Sequence, residues 1–299
     1  MKSVKANGIE LAYDSFGAEQ DEVILLIAGL GTQMIRWTTP FCEELARQAY
    51  RVIRFDNRDA GCSTHFDASG TLDFKELASA LMAGRRPDVP YTLYDMAADA
   101  IALLDVLAIE RAHIVGRSMG GMIAQIMASE HPARVLSLTS IMSSTGNPGL
   151  PQAAADVMAS MMRPRPDPYT DEAGFLSQAL AFARRIAGSA YPFDEEAHRI
   201  LILEEVSRAY DPAGSSRQIG AMAVAGDRRA RLASVSQPTL VIHGTDDPLI
   251  VPACGKDTAR SIPNAELMLI PGMGHDLPQQ VCPMVINAIV QNMRRAGNI

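Results

Sequence analysis

Residues Gly116-Arg117-Ser118-Met119-Gly120 set one serine between two glycines, in the pattern G-x-S-x-G. The apolar run AHIVG leads into it, and GMIAQIMA, with helix-like composition, leads out. A serine at the tip of a strand–turn–helix takes up a strained backbone conformation. Its flanking glycines let neighbouring elements pack closely, so the hydroxyl stands above the sheet. The chemistry expected is nucleophilic attack by Ser118. The plainer reading is a tight turn, and the strand before and helix after favour the nucleophile.

A free hydroxyl is too weakly acidic to attack without a base. The chain has six histidines. His113 lies inside a predicted strand, and His131 precedes a proline at a helix end. His65 and His198 fall in polar, surface-like segments. His243 precedes Gly244, where it would hydrogen-bond within a turn. These five read as structural. His275 follows AELMLI and the loop PGMG, at the C-terminal end of a strand, the edge where ligand and catalytic groups gather in open α/β sheets. Gly272 and Gly274 leave that loop room to hold an imidazole, so His275 is the expected base. A buried acid should fix its tautomer. HGTDDP, after the strand PTLVI, offers Asp246 and Asp247 and gives the chain order Ser, Asp, His. Attack on an ester carbonyl builds an oxyanion that backbone N–H groups must receive. The amide of Met119 is one donor. AGLG, after VILLIAG, offers Leu30 or Gly31 as the other.

The elements that would position these groups follow from periodicity. KSVKA and IELAYDSFG, joined by Asn7-Gly8, read as a hairpin. VILLIAG, RVIRFD, AHIVG and VLSLTSIM are apolar runs typical of strands buried on both faces. Helical segments alternate with them: about Pro40 to Ala49, a helix N-capped by Thr92 with Asp95 three residues on, and MIAQIMASEH, closed by Pro132. DFKELASALMAG is a further short helix stopped by Gly84. Alternation implies a mainly parallel sheet with helices on both faces. From about Ser143 to Gly226 no strand is convincing. Ala- and Met-rich helical segments fill the gap, one of them N-capped by Asp194. Strand–helix alternation then resumes through PTLVIHG, a short helix near Cys254 to Ser261, AELMLIPG and a last helix from about Gln279 to Ala296. The expected organisation is an α/β core over 1–142 and 227–299, with a helical cap over 143–226.

The bulk numbers narrow the partners. A net charge of −7 argues against nucleic acid, which needs a basic face. The N-terminus has no signal-like apolar stretch, and no apolar run is long enough to span a bilayer. A cytoplasmic protein with no membrane partner is expected. Cys42, Cys62, Cys254 and Cys282 are scattered without a C-x-x-C pair, which points to free thiols and to no metal site.

Together AGLG, DNRDAGCS, GRSMGG, HGTDDPLIVP and PGMGHDLP, in that order, resemble the α/β-hydrolase superfamily along nearly the whole chain. DNRDAGCST, HIVGRSMG and IPGMGHDLP are most similar to small capped bacterial esterases of the aclacinomycin methylesterase kind and, more distantly, to enol-lactonases. The resemblance implies the α/β-hydrolase fold. The family's acid lies in H-G-x-x-D, which selects Asp247. Its first oxyanion donor follows the glycine of an H-G pair, which selects Leu30, although Ala28 here replaces the histidine. Arg117 also departs from the family and is expected to point away from substrate and pair with a carboxylate. In DNRDAGCS, Arg58 and the two aspartates are expected to satisfy loop carbonyls and amides.

The implied activity is serine carboxylic-ester hydrolysis through Ser118, His275 and Asp247 with an acyl-enzyme, and with no metal or organic cofactor. The expected substrate is a small to medium, mainly apolar ester, a methyl ester included, with Met34, Trp37 and Ile250 lining its pocket. The alternatives are a lactonase or enol-lactonase, a carbon–carbon bond hydrolase, and a low-turnover ligand-binding protein on the same fold. Oligomeric state is left open.

Overall fold

The computed structural model describes residues 1–298. Eight strands form one sheet in the order β1-β2-β4-β3-β5-β6-β7-β8 among the described residues. They are β1 (Lys2–Ala6), β2 (Ile9–Phe16), β3 (Glu22–Ile27), β4 (Tyr50–Phe55), β5 (Ala112–Arg117), β6 (Val135–Ile141), β7 (Thr239–Gly244) and β8 (Glu266–Ile270). β1 and β2 form the hairpin that Asn7-Gly8 predicts, and β2 runs antiparallel to β4. From β4 to β8 every pairing is parallel.

The central strands are apolar throughout because both faces are covered. Along β3, Val23, Leu25 and Ile27 face one apolar cluster, while Ile24, Leu26 and the following Ala28 face the other. The first face is covered by α3 (Leu93–Val106) and α4 (Met119–Glu130). The second is covered by α1 (Thr39–Arg47) and the last helix, over Cys282–Arg294. At the start of α3, Thr92 and Asp95 close a reciprocal capping box, as their spacing predicts. The short helix α2 (Phe74–Met82) leads to Gly84, whose φ of +66° ends it.

Between β6 and β7 the described residues leave the sheet, first through α5 (Ala155–Met162), α6 (Glu172–Ile186), α7 (Glu195–Arg208) and α8 (Pro212–Val224). Asp194 caps α7 by accepting from the Ala197 amide. α6 and α7 share a small apolar cluster of Phe175, Ala179 and Ile202. α8 is different in kind. Its Gly214, Ser216, Arg217, Gln218 and Gly220 are buried, and its Ala221 joins the α3/α4 core. The chain returns through α9 (Arg229–Leu232), α10 (Pro252–Ser261) and α11 (Cys282–Arg294). Among the described residues no helix is long and apolar enough to cross a membrane.

Charge anchors the insertion to the loop after β4. Arg217 makes two bonds to Asp59, of 2.7 and 2.8 Å, with both side chains essentially unexposed. Arg208 reaches Asp56 at 2.5 Å. The two aspartates also accept loop amides as expected, Asp56 from Met34 and Cys62, and Asp59 from Phe66. Arg58 departs from expectation. It pairs bidentately with Asp99 of α3 at 2.6 and 2.7 Å and lies over the rings of Phe66 and Tyr91. A guanidinium buried this deeply needs a carboxylate more than it needs loop carbonyls.

Removing one partner of a buried pair strands the other charge. Arg217→Met is predicted to lower unfolding free energy by about 3–5 kcal/mol, read by urea denaturation. Arg47→Met, in an exposed pair with Glu44, should cost at most about 1 kcal/mol. Equal effects from the two would contradict the anchoring role of Arg217.

Candidate active site

Ser118 is the residue between β5 and α4, with φ 56° and ψ −122°. A non-glycine residue with positive φ costs about 1–3 kcal/mol and persists only where its surroundings over-determine it. Here the Ser118 amide donates to the Ile141 carbonyl at 2.9 Å, and the Ser143 hydroxyl donates to the Ser118 carbonyl at 2.8 Å. The glycines allow the close approach. A methyl at Gly116 would lie 2.1 Å from the Gly120 carbonyl oxygen, and one at Gly120 would lie 2.2 Å from that of Ile27. Any side chain at either position would push α4 off the sheet.

His275 sits in the loop after β8 and is 8% exposed. Its Nε2 is 3.0 Å from Ser118 Oγ, and its Nδ1 is 2.7 Å from Asp247 Oδ2. A carboxylate can only accept, so the proton lies on Nδ1 and leaves Nε2 free to accept from the serine. Asp247 Oδ1 accepts from the amides of Leu249 and Ile250, both at 2.9 Å. Burial works against the charged form of Asp247. The imidazoles of His275 and His243 outweigh it and hold its pKa down to about 2. Asp246 is exposed instead and bonds to Thr245 and Ser189. Of the two candidate acids, only Asp247 reaches His275.

Met119 follows the serine directly, and Leu30 lies in the loop after β3. A methyl on Gly29 would lie 3.2 Å from Ser118 Cβ, so the loop after β3 runs against the serine itself. Met119 opens α4, where the first amides have no intrahelical acceptor and the helix dipole favours negative charge. The amide of Gly31 is taken by Gln218 Oε1 at 2.8 Å. Among the described residues no hydrogen bond uses the Leu30 amide. That distinction separates the two residues which AGLG leaves open.

Four of the other five histidines have side chains with partners elsewhere. His113 bonds to Ser137 within the core, and His243 bonds to the Ile250 carbonyl at 2.7 Å. His65 and His198 are less superficial than their polar surroundings imply. His65 bonds to Asp211 at 2.8 Å, and His198 lies 3.2 Å from Asp276. The nearest approach to a metal-binding cluster among the described residues is Asp59, His65 and Asp211. Arg217 already bonds to both of its carboxylates, at 2.7 and 2.9 Å, so a cation is built into that cluster.

Three sequence expectations need correction or narrowing. Arg117 has no carboxylate within ion-pair distance among the described residues. Its guanidinium donates to the Arg36 carbonyl at 3.3 Å and stacks over Trp37, with Asp276 the main nearby opposing charge. Trp37 is 1% exposed. The short turn Met34–Arg36 swings it into the core, where its ring packs 5.3 Å from Phe41. Met34 is likewise fully buried, with its amide bonded to Asp56. Ile250 alone of the three keeps partial exposure, beside Asp247.

Sequence reasoning missed the groups that hold the site from outside. The amides of Gly274 and His275 donate to the carbonyls of Ala187 and Ile186, at the end of α6, at 3.0 and 2.6 Å. Glu205 of α7 pairs with Arg36 at 2.7 Å. Asn57 Nδ2 donates to the Ala28 carbonyl at 3.1 Å. The one signal for Gln218 is its polarity in a helix of mostly small residues.

A family model described as the alpha/beta hydrolase family matches residues 24–285. A rhodomycin D methylesterase of Streptomyces sp. (strain C5) is 30% identical, the match covering 99% of this chain and 98% of the relative. A second rhodomycin D methylesterase, from Streptomyces peucetius, is 31% identical over 96% of each chain. Among solved structures, the enol-lactonase from Burkholderia xenovorans LB400 superposes with a TM-score of 0.71 at 21% identity, covering 98% of this chain and 100% of that one. A strand-ending serine elbow, an eight-stranded sheet and a family model spanning most of its length give one conclusion: this chain belongs to the alpha/beta hydrolase family.

Proposed function

We propose that this protein is a serine carboxylic-ester hydrolase. The observation that carries the reading is one imidazole lying 3.0 Å from Ser118 Oγ through Nε2 and 2.7 Å from Asp247 through Nδ1. Ser118 attacks the ester carbonyl while His275 Nε2 takes its proton. Asp247, ionised because its pKa lies near 2, orients the ring and stabilises the imidazolium. The amides of Leu30 and Met119 receive the oxyanion. His275 then passes the proton to the leaving alcohol, an acyl group remains on Ser118, and water attacks it by the same route to release the acid.

The methylesterase relatives, each matched over nearly its full length, favour a methyl ester, so methanol is the proposed leaving group. A small alcohol asks little of the pocket on its side of the scissile bond. The acyl side then carries recognition, with Ile250 a lining residue and the helices of 143–226 acting as a cap over it.

Four variants test this reading. Ser118→Ala should lower hydrolysis of a short p-nitrophenyl ester by about 10⁴- to 10⁶-fold. Equal turnover by wild type and variant would place the activity elsewhere. Asp247→Asn should lower kcat by about 10⁴-fold, because an asparagine selects the wrong histidine tautomer. Asp246→Asn should leave kcat nearly unchanged, and a comparable loss there would overturn the assignment of the acid. Because burial alone would raise the Asp247 pKa, removing its partner with His243→Phe should raise it. The Asp247 carboxyl should then take up its proton at a higher pH than in the wild type, as read by a carbon-13 NMR titration of that carboxyl.

A further inference from the structure

The loop after β3 carries the proposed oxyanion donor, Leu30, next to a glycine, Gly31, that does little to restrain it. Two consecutive peptide planes matter, since each peptide group is rigid and planar. The first contains the Gly29 carbonyl and the Leu30 N–H. Its oxygen accepts from the Thr32 amide at 3.4 Å and the Thr32 hydroxyl at 3.0 Å. In a trans peptide these bonds turn the Leu30 N–H the opposite way. The second plane contains the Gly31 N–H, which donates to Gln218 Oε1 at 2.8 Å.

We propose that Gln218, from the helical insertion, is a positioning residue for the oxyanion hole. It fixes the Leu30–Gly31 peptide and, through it, the direction of the Leu30 amide. This rests on the reading of Ser118 as nucleophile and Leu30 as oxyanion donor.

Gln218 is fully buried on α8. Its Nε2 donates to the Arg58 carbonyl at 2.8 Å, so the carboxamide is held at both ends and its orientation is determined: one partner can only accept and the other can only donate. Gly31 gives the loop no stiffness of its own. It has φ +61° and is exposed, and glycine reaches many other conformations at little cost. An apolar side chain of similar volume would fill the space without a buried amide to satisfy. The two bonds that Gln218 makes both go to loops at the C-terminal edge of the sheet, after β3 and after β4. Downstream, the Gln33 amide donates to Glu205 Oε1 at 3.3 Å, so α7 holds the far end of the same loop.

Misplacing a catalytic donor by about 1 Å costs roughly 100-fold in rate. Gln218→Met keeps the volume and removes both bonds. Its rate of covalent labelling at Ser118 by a fluorophosphonate, and its kcat on p-nitrophenyl acetate, should fall roughly 10- to 100-fold with KM almost unchanged. A folded variant that labels and turns over at the wild-type rate would overturn the proposal, as would a loss confined to KM. Amide exchange resolved by NMR on the wild-type protein tests the bond from Gly31 to Gln218 even where the variant does not fold. The exposed Gly31 amide should exchange far more slowly than an unstructured glycine, and free exchange would overturn the proposal. Failure of the underlying reading looks different: wild-type protein that neither labels at Ser118 nor hydrolyses esters, while Gly31 stays protected.

Discussion

The candidate site is built on one unfavourable backbone conformation, that of Ser118. A positive φ at a residue with a side chain raises the energy of the folded state, and only tight packing keeps it there. The Gly116 and Gly120 contacts supply that packing by bringing α4 against β5 and the carbonyls of Ile27 and Ala28. The sheet must then be parallel in this region, so that β3, β5 and β6 end together and deliver their loops to the same edge. The serine amide bonded to Ile141, at the end of β6, is the visible result.

Electrostatics does the second part of the work. Asp56, Asp59 and Asp99 are buried carboxylates close to the loop after β4, and each has an arginine: Arg208, Arg217 and Arg58. Two of those arginines belong to the inserted helices. Buried pairs of this kind add little net stability but penalise wrong arrangements heavily, since a misplaced helix would leave a bare charge behind. They therefore specify where the insertion sits more than how tightly it is held.

Much of this was legible in the chain. VILLIAG, AHIVG and PTLVIHG announce buried strands because they are apolar at every position, and Thr92 with Asp95 marks a helix start by local chemistry alone. The candidate triad was legible because its members fall at strand ends in a fixed order. Strand order was not, since nothing local says that β4 lies between β2 and β3. The burial of Trp37 was not legible, because an aromatic near a loop end looks the same whether the next turn exposes it or folds it inward. Gln218 escaped notice because its partners, Arg58 and Gly31, lie 160 and 187 residues away. Helical periodicity sees only neighbours within a few turns.

The carbonyls of Ile186 and Ala187 carry a consequence for how such a protein can diversify. They hold the backbone of the histidine loop from the end of α6, and α7 and α8 hold the loop on the opposite side of the serine. The inserted helices are thus not an exchangeable cassette. Grafting them whole from a relative would also replace the groups that hold the loops on either side of the serine.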